Sequence, residues 1–219
     1  MAADFAHRFV LLRQSRRSED ETMSVNIVLC GVGGQGTVLA SKLTAAAAMK
    51  KGIAVKSAET IGMAQRGGSV FSHLRVGEDA LTPMIKSGEA DLIIGFEPAE
   101  TVRMMPFLRK GGAVITSDRP VMPVTAALKG SDYSGAEMVE YLRQLEAKGD
   151  ISRLVIVDTE KASIDVGSPK AVNMILLGAA ARAGMLGEIS IDDIREAMIA
   201  KVKPQFVEMN NKALEYVEI

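Results

Sequence analysis

Residues 25–36, VNIVLCGVGGQG, constrain the fold of this chain most strongly, because an apolar run leads directly into closely spaced glycines. The apolar run is typical of a buried strand. Gly31, Gly33 and Gly36 have the G-x-G-x-x-G spacing of a tight turn that leads into a helix. Free amides and the dipole at the start of such a helix favour anion binding. A turn that needs glycine only for its backbone angles would show the same pattern, so both interpretations stay open here.

Strands and helices alternate along the rest of the chain. A helix is predicted over 35–50 and a strand over 53–58, so the first two strands should form a parallel pair in a β-α-β unit. Further strands are predicted over 69–76, 91–96, 113–117 and 153–158. Further helices are predicted after Pro98 and over 134–148, 169–183, 191–201 and 205–216. This order predicts an α/β fold: a doubly wound, Rossmann-like, mostly parallel sheet with a helical insertion and C-terminal helices.

The length of 219 residues suits one domain. Residues 1–22 carry four arginines around a short apolar run, and we predict that they form a poorly ordered N-terminal extension. The domain itself is predicted over 23–219, with an insertion over 118–150. No apolar stretch approaches the roughly 20 residues of a membrane span, and the N-terminal run is too short for a signal peptide, so we expect a cytoplasmic protein.

Composition argues against several functional classes. The formal net charge is −1 and the basic residues are scattered, which gives nucleic-acid binding little support. The single cysteine, Cys30, can form neither an intramolecular disulfide nor a cysteine-ligated iron-sulfur cluster within this chain, so we expect it to be a small core residue. The two histidines, His7 and His73, are too few and too far apart for a zinc site, and no metal is predicted. The glycine turn offers Gln35 and Thr37 but no serine that could act as a nucleophile, so we expect a structural role for His73 and predict no catalytic residue.

A second glycine-rich loop gives a sharper indication of a binding site. A nicotinamide dinucleotide would need an acidic residue about 20 positions after the turn, and Glu59 is the only candidate. The glycine-rich loop that follows Glu59 is unusual for nicotinamide-binding proteins, which argues against this ligand. Residues 65–68, Gln65, Arg66, Gly67 and Gly68, place a guanidinium and free amides at the edge where Gly33, Gly34 and Gln35 lie. A phosphate or carboxylate could bind between these two loops, with Arg66 as a forked donor. Alternatively, the loop caps the sheet edge or docks a partner.

Five motifs occur together in an order that is specific to one family. They are GVGGQG at 31–36, GMAQRGGS at 62–69, SHLR at 72–75, EADL at 89–92 and GFEP at 95–98. From about residue 25 to the C-terminal helices, the chain resembles the gamma component of the 2-oxoacid:ferredoxin oxidoreductases. Within that family it is most similar to the beta subunits of the indolepyruvate ferredoxin oxidoreductases.

The resemblance implies oxidative decarboxylation of indolepyruvate and other arylpyruvates with coenzyme A, giving an aryl-acetyl-CoA, carbon dioxide and reduced ferredoxin. It also implies that thiamine diphosphate and the 4Fe-4S clusters belong to a large partner subunit, through which ferredoxin is reached. This chain is then an accessory subunit without a redox group, and we expect it to bind no cofactor firmly.

The same resemblance, together with the local chemistry, assigns the coenzyme A phosphates to both glycine-rich loops. The expected binding residues are Gly31, Gly33, Gly34, Gln35, Gly36, Gln65, Arg66, Gly67 and Gly68. The small-residue helix within 171–185 is expected to provide a surface for the large subunit or for a second copy of the chain. Two alternatives remain: the gamma subunit of a pyruvate, ketoisovalerate or oxoglutarate ferredoxin oxidoreductase, and a stand-alone nucleotide-binding or sensor protein.

Overall fold

A computed structural model describes residues 24–60, 67–77, 82–121 and 133–216. Within these residues six strands form one sheet: β1 (Val25–Val32), β2 (Val55–Thr60), β3 (Ser69–Val76), β4 (Ala90–Gly95), β5 (Leu108–Ser117) and β6 (Ile151–Val157). The α-helices in the same part of the chain are α1 (Thr37–Lys50), α2 (Pro98–Met104), α3 (Gly135–Ala147), α4 (Thr159–Val166), α5 (Val172–Arg182), α6 (Ile191–Lys201) and α7 (Val207–Glu215).

The sheet has the strand order β2-β3-β1-β4-β5-β6. Strands β1, β4, β5 and β6 are parallel neighbours, whereas β3 is antiparallel to both β1 and β2. The predicted mostly parallel α/β sheet is therefore confirmed. The predicted parallel pair of β1 and β2 is wrong, because β3 lies between them. The connection from β2 to β3 is too short for a parallel crossover, which needs a dozen or more residues, so β3 returns antiparallel to β2.

Helices cover both faces of the sheet, as a doubly wound fold requires. Alternate side chains of β1 enter two separate cores, with Ile27 and Leu29 on one face and Val28 and Cys30 on the other. The first face is covered by α1, α4, α5, α6 and α7, and the second by α2 and α3. Cys30 is fully buried, which confirms the expected core position.

Helix α5 is mostly buried by the other helices and the sheet, rather than exposed on the protein surface. Every residue from 173 to 180 is buried, and a Cβ on Gly178 would lie 2.0 Å from the carbonyl oxygen of Leu214 in α7. The expectation that residues 171–185 provide a partner or self-association surface is therefore wrong. Their small side chains permit close packing between two helices of the same subunit.

Helix α3 falls within the predicted insertion, and it is the crossover between the parallel strands β5 and β6. Its Leu142 is buried with Ile151 in the second core. Residues 122–132, like residues 1–23, lie outside the described part of the chain, and the domain limits stay predictions. Helix α4 was not predicted, although Asp158 caps its start by accepting a hydrogen bond from the Lys161 amide at 2.9 Å. None of the helices in the described residues has the length and apolarity needed to cross a membrane.

Candidate functional site

The candidate site lies at the carboxyl ends of the parallel strands β1, β4, β5 and β6. From β1 the chain crosses to the face of α1, and from β4 it crosses to the opposite face through α2, so a crevice opens between the two strands. A cleft of about 610 Å³ lies at this crevice. It is lined by Gly34, Gln35, Gly36, Leu39, Phe96, Ser117, Arg119, Pro120, Val121, Thr159, Pro169, Lys170, Val172 and Asn173.

Two of the predicted glycines form the cleft wall at the start of α1. Gly34 has φ 105° and Gly36 has φ 84°, conformations that L side chains rarely adopt. A Cβ on Gly36 would also lie 2.8 Å from Nδ2 of Asn173. Gly36 is the N-cap residue of α1, and no side-chain hydrogen bond caps the first turn of this helix.

Gln35 and Gly31 shape the turn from inside. The Gln35 Oε1 atom accepts a hydrogen bond from the Val32 amide at 2.7 Å, and its Nε2 atom donates to the carbonyl oxygen of Phe96 at 2.8 Å. A Cβ on Gly31 would lie 2.7 Å from both Gln35 Oε1 and Phe96 Cβ. Gln35 therefore joins the glycine turn to the end of β4, a structural role that the sequence pattern did not reveal.

The two glycine-rich loops meet, as the sequence predicted. The Gly33 amide donates a hydrogen bond to the carbonyl oxygen of Gly68 at 2.8 Å, and the Gly67 amide donates to that of Gly33 at 3.4 Å. Gln65 and Arg66 lie outside the described residues, so their part in the site stays a prediction.

Two cationic residues of the cleft were not predicted. Arg119 follows the end of β5, and Lys170 lies in the short 3-10 turn Pro169–Ala171 before α5. Both are exposed, neither side chain makes an ion pair with a residue that the structure describes, and no described carboxylate lines the cleft. The described residues that line the cleft therefore carry a net positive charge. The available sequence signal for Arg119 was a basic residue two positions after the end of a buried strand.

A buried carboxyl group lies behind the Arg119–Val121 segment that lines the cleft. Glu97 is 2% exposed, and its Oε2 atom caps α2 by accepting a hydrogen bond from the Glu100 amide at 2.9 Å. Its Oε1 atom accepts from the Val121 amide at 3.4 Å and from the Tyr133 hydroxyl. Burial, followed by the hydrogen bond to Glu97, raises the pKa of Tyr133, so this hydroxyl stays a proton donor at neutral pH.

The environment of Cys30 argues against a reactive thiol. Burial raises its pKa well above the usual range, and the charges of Glu100 and Glu97 add to the effect. The thiol is therefore protonated at neutral pH, and it is not a nucleophile or a ready metal ligand.

The remaining candidates do not reach the cleft. Glu59 lies on the edge strand β2, where β3 separates it from β1, and its carboxylate lies 3.9 Å from the ammonium group of Lys42. His73 is fully buried between the rings of Phe71 and Phe107. Its Nδ1 atom accepts a hydrogen bond from the Ile85 amide at 2.9 Å, which confirms the structural role expected for this histidine.

The cysteine count of this chain does not suit an iron-sulfur cluster. It has one cysteine, and the described residues contain no group of three His, Cys, Asp or Glu side chains that could hold a metal ion. An iron-sulfur cluster requires several thiolates, so these residues do not fit one.

Comparison with known proteins agrees with the fold and with the predicted resemblance. The family model of pyruvate ferredoxin/flavodoxin oxidoreductase matches residues 26–217. The indolepyruvate oxidoreductase subunit IorB of Pyrococcus horikoshii is 36% identical over 190 residues, which cover 87% of this chain and 92% of that protein.

Solved structures share the fold at lower sequence identity. The gamma subunit of a keto/oxoacid ferredoxin oxidoreductase from Geobacter sulfurreducens superposes with a TM-score of 0.60 at 21% identity, covering 87% of this chain and 94% of that one. The 2-oxoglutarate:ferredoxin oxidoreductase from Magnetococcus marinus, solved with 2-oxoglutarate, coenzyme A and succinyl-CoA, gives 0.62 at 19% identity, covering 90% of this chain and 30% of that one. The resemblance predicted from the five motifs is confirmed, and the chain belongs to the pyruvate ferredoxin/flavodoxin oxidoreductase family.

Proposed function

We propose that this chain is the gamma-type subunit of a ferredoxin-dependent oxidoreductase that converts indolepyruvate and other arylpyruvates to aryl-acetyl-CoA. The observation that carries the proposal is the similarity to an indolepyruvate oxidoreductase subunit, which extends over 92% of that relative at 36% identity. Similarity over nearly the whole length supports a whole subunit of the same kind rather than a shared module.

The subunit acts together with a large partner that holds thiamine diphosphate and the 4Fe-4S clusters and passes electrons to ferredoxin. Two observations support this division: the single buried cysteine of this chain, and the larger oxoglutarate enzyme in which a similar fold accounts for 30% of the polypeptide. The thiamine cofactor supplies the decarboxylation chemistry when it is bound to the partner. The role of this chain is accessory, and the assembled enzyme acts in the cytoplasm.

The cleft binds the phosphates of coenzyme A. Gly34 brings backbone close to a ligand, with open space where a side chain would stand. Arg119 and Lys170 supply charge that no described carboxylate lining the cleft neutralises. Anions bind well at helix N-termini, and a guanidinium adds paired donors. Arg66, in the loop that precedes Gly67, is proposed as a further donor. A cleft of about 610 Å³ is large enough for an organic phosphate rather than a lone ion.

The test is co-expression with the large subunit, followed by assays with coenzyme A and ferredoxin. We expect a complex that contains iron and has a higher kcat/KM for indolepyruvate than for pyruvate, ketoisovalerate or 2-oxoglutarate, by about tenfold or more. A preference for one of the aliphatic acids would instead assign the chain to the corresponding gamma subunit. Recovery of this chain alone at native expression levels, without an iron-containing partner, would favour the stand-alone nucleotide-binding alternative.

A further inference from the structure

One carboxyl group joins three parts of the chain beneath the cleft. Glu97 directly follows Phe96, which lines the cleft, and the Glu97 side chain is nearly inaccessible to solvent. It accepts hydrogen bonds from the Glu100 amide within α2, from the Val121 amide of the cleft wall, and from the Tyr133 hydroxyl before α3. All three groups donate to Glu97, so both of its carboxyl oxygens act as acceptors.

These bonds exceed what a helix cap requires. Capping α2 uses only the Oε2 atom, and a shorter Ser, Asp or Asn side chain satisfies such a position equally well. A buried carboxylate is expensive to desolvate unless several donors compensate it. The second oxygen, Oε1, is the one that reaches the Val121 amide and the Tyr133 hydroxyl.

The two residues bound by Oε1 lie on either side of residues 122–132. Val121 lines the cleft together with Arg119 and Pro120, so the bond to its amide holds the wall from which the Arg119 side chain extends. The wall has a second attachment, from the Arg119 amide to the Ser117 hydroxyl at 3.0 Å. Between these two attachments, Pro120 packs against Gly135 at the start of α3, and Glu97 holds the far end at Val121.

We propose that Glu97 is a positioning residue, which, with Tyr133, holds the Arg119–Val121 wall in the geometry that binds the anionic end of coenzyme A. The proposal rests on the proposed function of the cleft. Glu97 itself touches neither substrate nor cofactor. Its effect is therefore confined to the affinity for the ligand of this cleft.

The variants Glu97→Gln and Tyr133→Phe test this in the assembled complex. A glutamine has one acceptor oxygen in place of two, and its amide group would face a donor, so it cannot serve both the helix cap and the wall. We expect KM for coenzyme A to rise about five- to tenfold in Glu97→Gln, with kcat and KM for indolepyruvate within about twofold of the wild-type values. Tyr133→Phe should raise the same KM by a smaller factor.

The double variant distinguishes a shared bond from two separate defects. Because Glu97 and Tyr133 act through one hydrogen bond, their effects on KM for coenzyme A should be less than multiplicative. Glu140→Gln, an exposed glutamate of α3 outside the cleft, is the matched control and should behave as wild type. The proposal is overturned if both single variants keep the wild-type KM for coenzyme A, or if kcat and both KM values change together.

Backbone hydrogen exchange gives a readout that does not require turnover. In Glu97→Gln, a peptide that contains Val121 should exchange faster than in wild type, whereas peptides from α6 should be unchanged. Equal exchange at Val121 would contradict the role of Glu97 even if the complex proved inactive. Failure of the wild-type complex to use coenzyme A would count against the proposed function alone.

Discussion

Individual side chains at the cleft divide into those that build it and those that give it charge. Gln35 uses both ends of its amide to join Val32 to Phe96 and therefore belongs to the first group. Arg119 and Lys170 make no ion pair with described residues and belong to the second. Substitutions in the first group should affect folding, and substitutions in the second should affect ligand affinity.

Arg66→Ala tests the second glycine-rich loop. If this arginine contacts a coenzyme A phosphate, the KM for coenzyme A should rise about tenfold or more, because a charge-assisted hydrogen bond contributes about 1.5–3 kcal/mol. The measurement is steady-state kinetics of the complex, with Lys201→Ala at the exposed end of α6 as the control. An unchanged KM accompanied by dissociation of the complex would make Arg66 an interface residue.

His73 should make stability depend on pH. Burial lowers its pKa from 6.5, so the folded chain resists the protonation that the unfolded chain accepts. The contribution of the neutral ring is complete above pH 6.5 and is lost as the pH falls from there toward the lowered pKa. We expect His73→Gln to weaken the decrease in unfolding free energy between pH 7.5 and 5.5, measured by urea titration. Identical pH slopes for the two proteins would contradict this.

Among the C-terminal helices, α6 has a side-chain cap that can be read in the sequence. The Ser190 hydroxyl accepts a hydrogen bond from the Asp193 amide at 3.2 Å, and Asp193 accepts one in return from the Ser190 amide at 2.8 Å. This reciprocal capping box marks the start of α6 in the sequence. Helix α4 has only eight residues and so offers little periodicity, which is why its cap alone did not reveal it.

Ser190→Ala should lower the unfolding free energy by about 1 kcal/mol, because the variant loses the serine half of the capping box. Ser134→Ala in α3 is the comparison, since its hydroxyl accepts one bond from the Glu137 amide at the longer distance of 3.4 Å. Chemical denaturation of both variants measures the difference. An equal or larger loss in Ser134→Ala would show that the reciprocal arrangement adds nothing.

The whole molecule combines a candidate binding cleft with a sequence that contains a single cysteine. The cleft and both glycine-rich loops lie at one edge of the sheet, and the sole cysteine lies in the core. This arrangement agrees with a division of labour in which the partner performs the electron transfer.

Cys30→Ala tests that division. Removing one buried sulfur should lower the unfolding free energy of this subunit by about 1 kcal/mol. The iron content and the ferredoxin-reducing activity of the purified complex should match those of the wild type. Iron analysis and electron paramagnetic resonance provide the measurements, and loss of a cluster signal in an assembled complex would contradict the assignment of the clusters to the partner.

Much of the architecture follows from local patterns that can be read in the sequence. Apolar runs of four to eight residues predicted the parallel strands, because such strands are buried on both faces. The glycines at 31, 33 and 36 predicted the turn between β1 and α1, because their spacing is typical of a tight turn that leads from a strand into a helix. Motifs in both glycine-rich loops identified the family.

Only the tertiary structure decided the neighbours of each strand and the inner contacts of the cleft. The position of β3 between β1 and β2 depends on hydrogen bonds between strands that are distant in sequence. The hydrogen bonds of Glu97 with Val121 and Tyr133 likewise join residues that are distant in sequence, 24 and 36 positions from Glu97. Local sequence patterns indicate the conformation of a single segment. Strand pairing and side-chain burial depend instead on which segments come into contact, and those contacts form only when the whole chain packs.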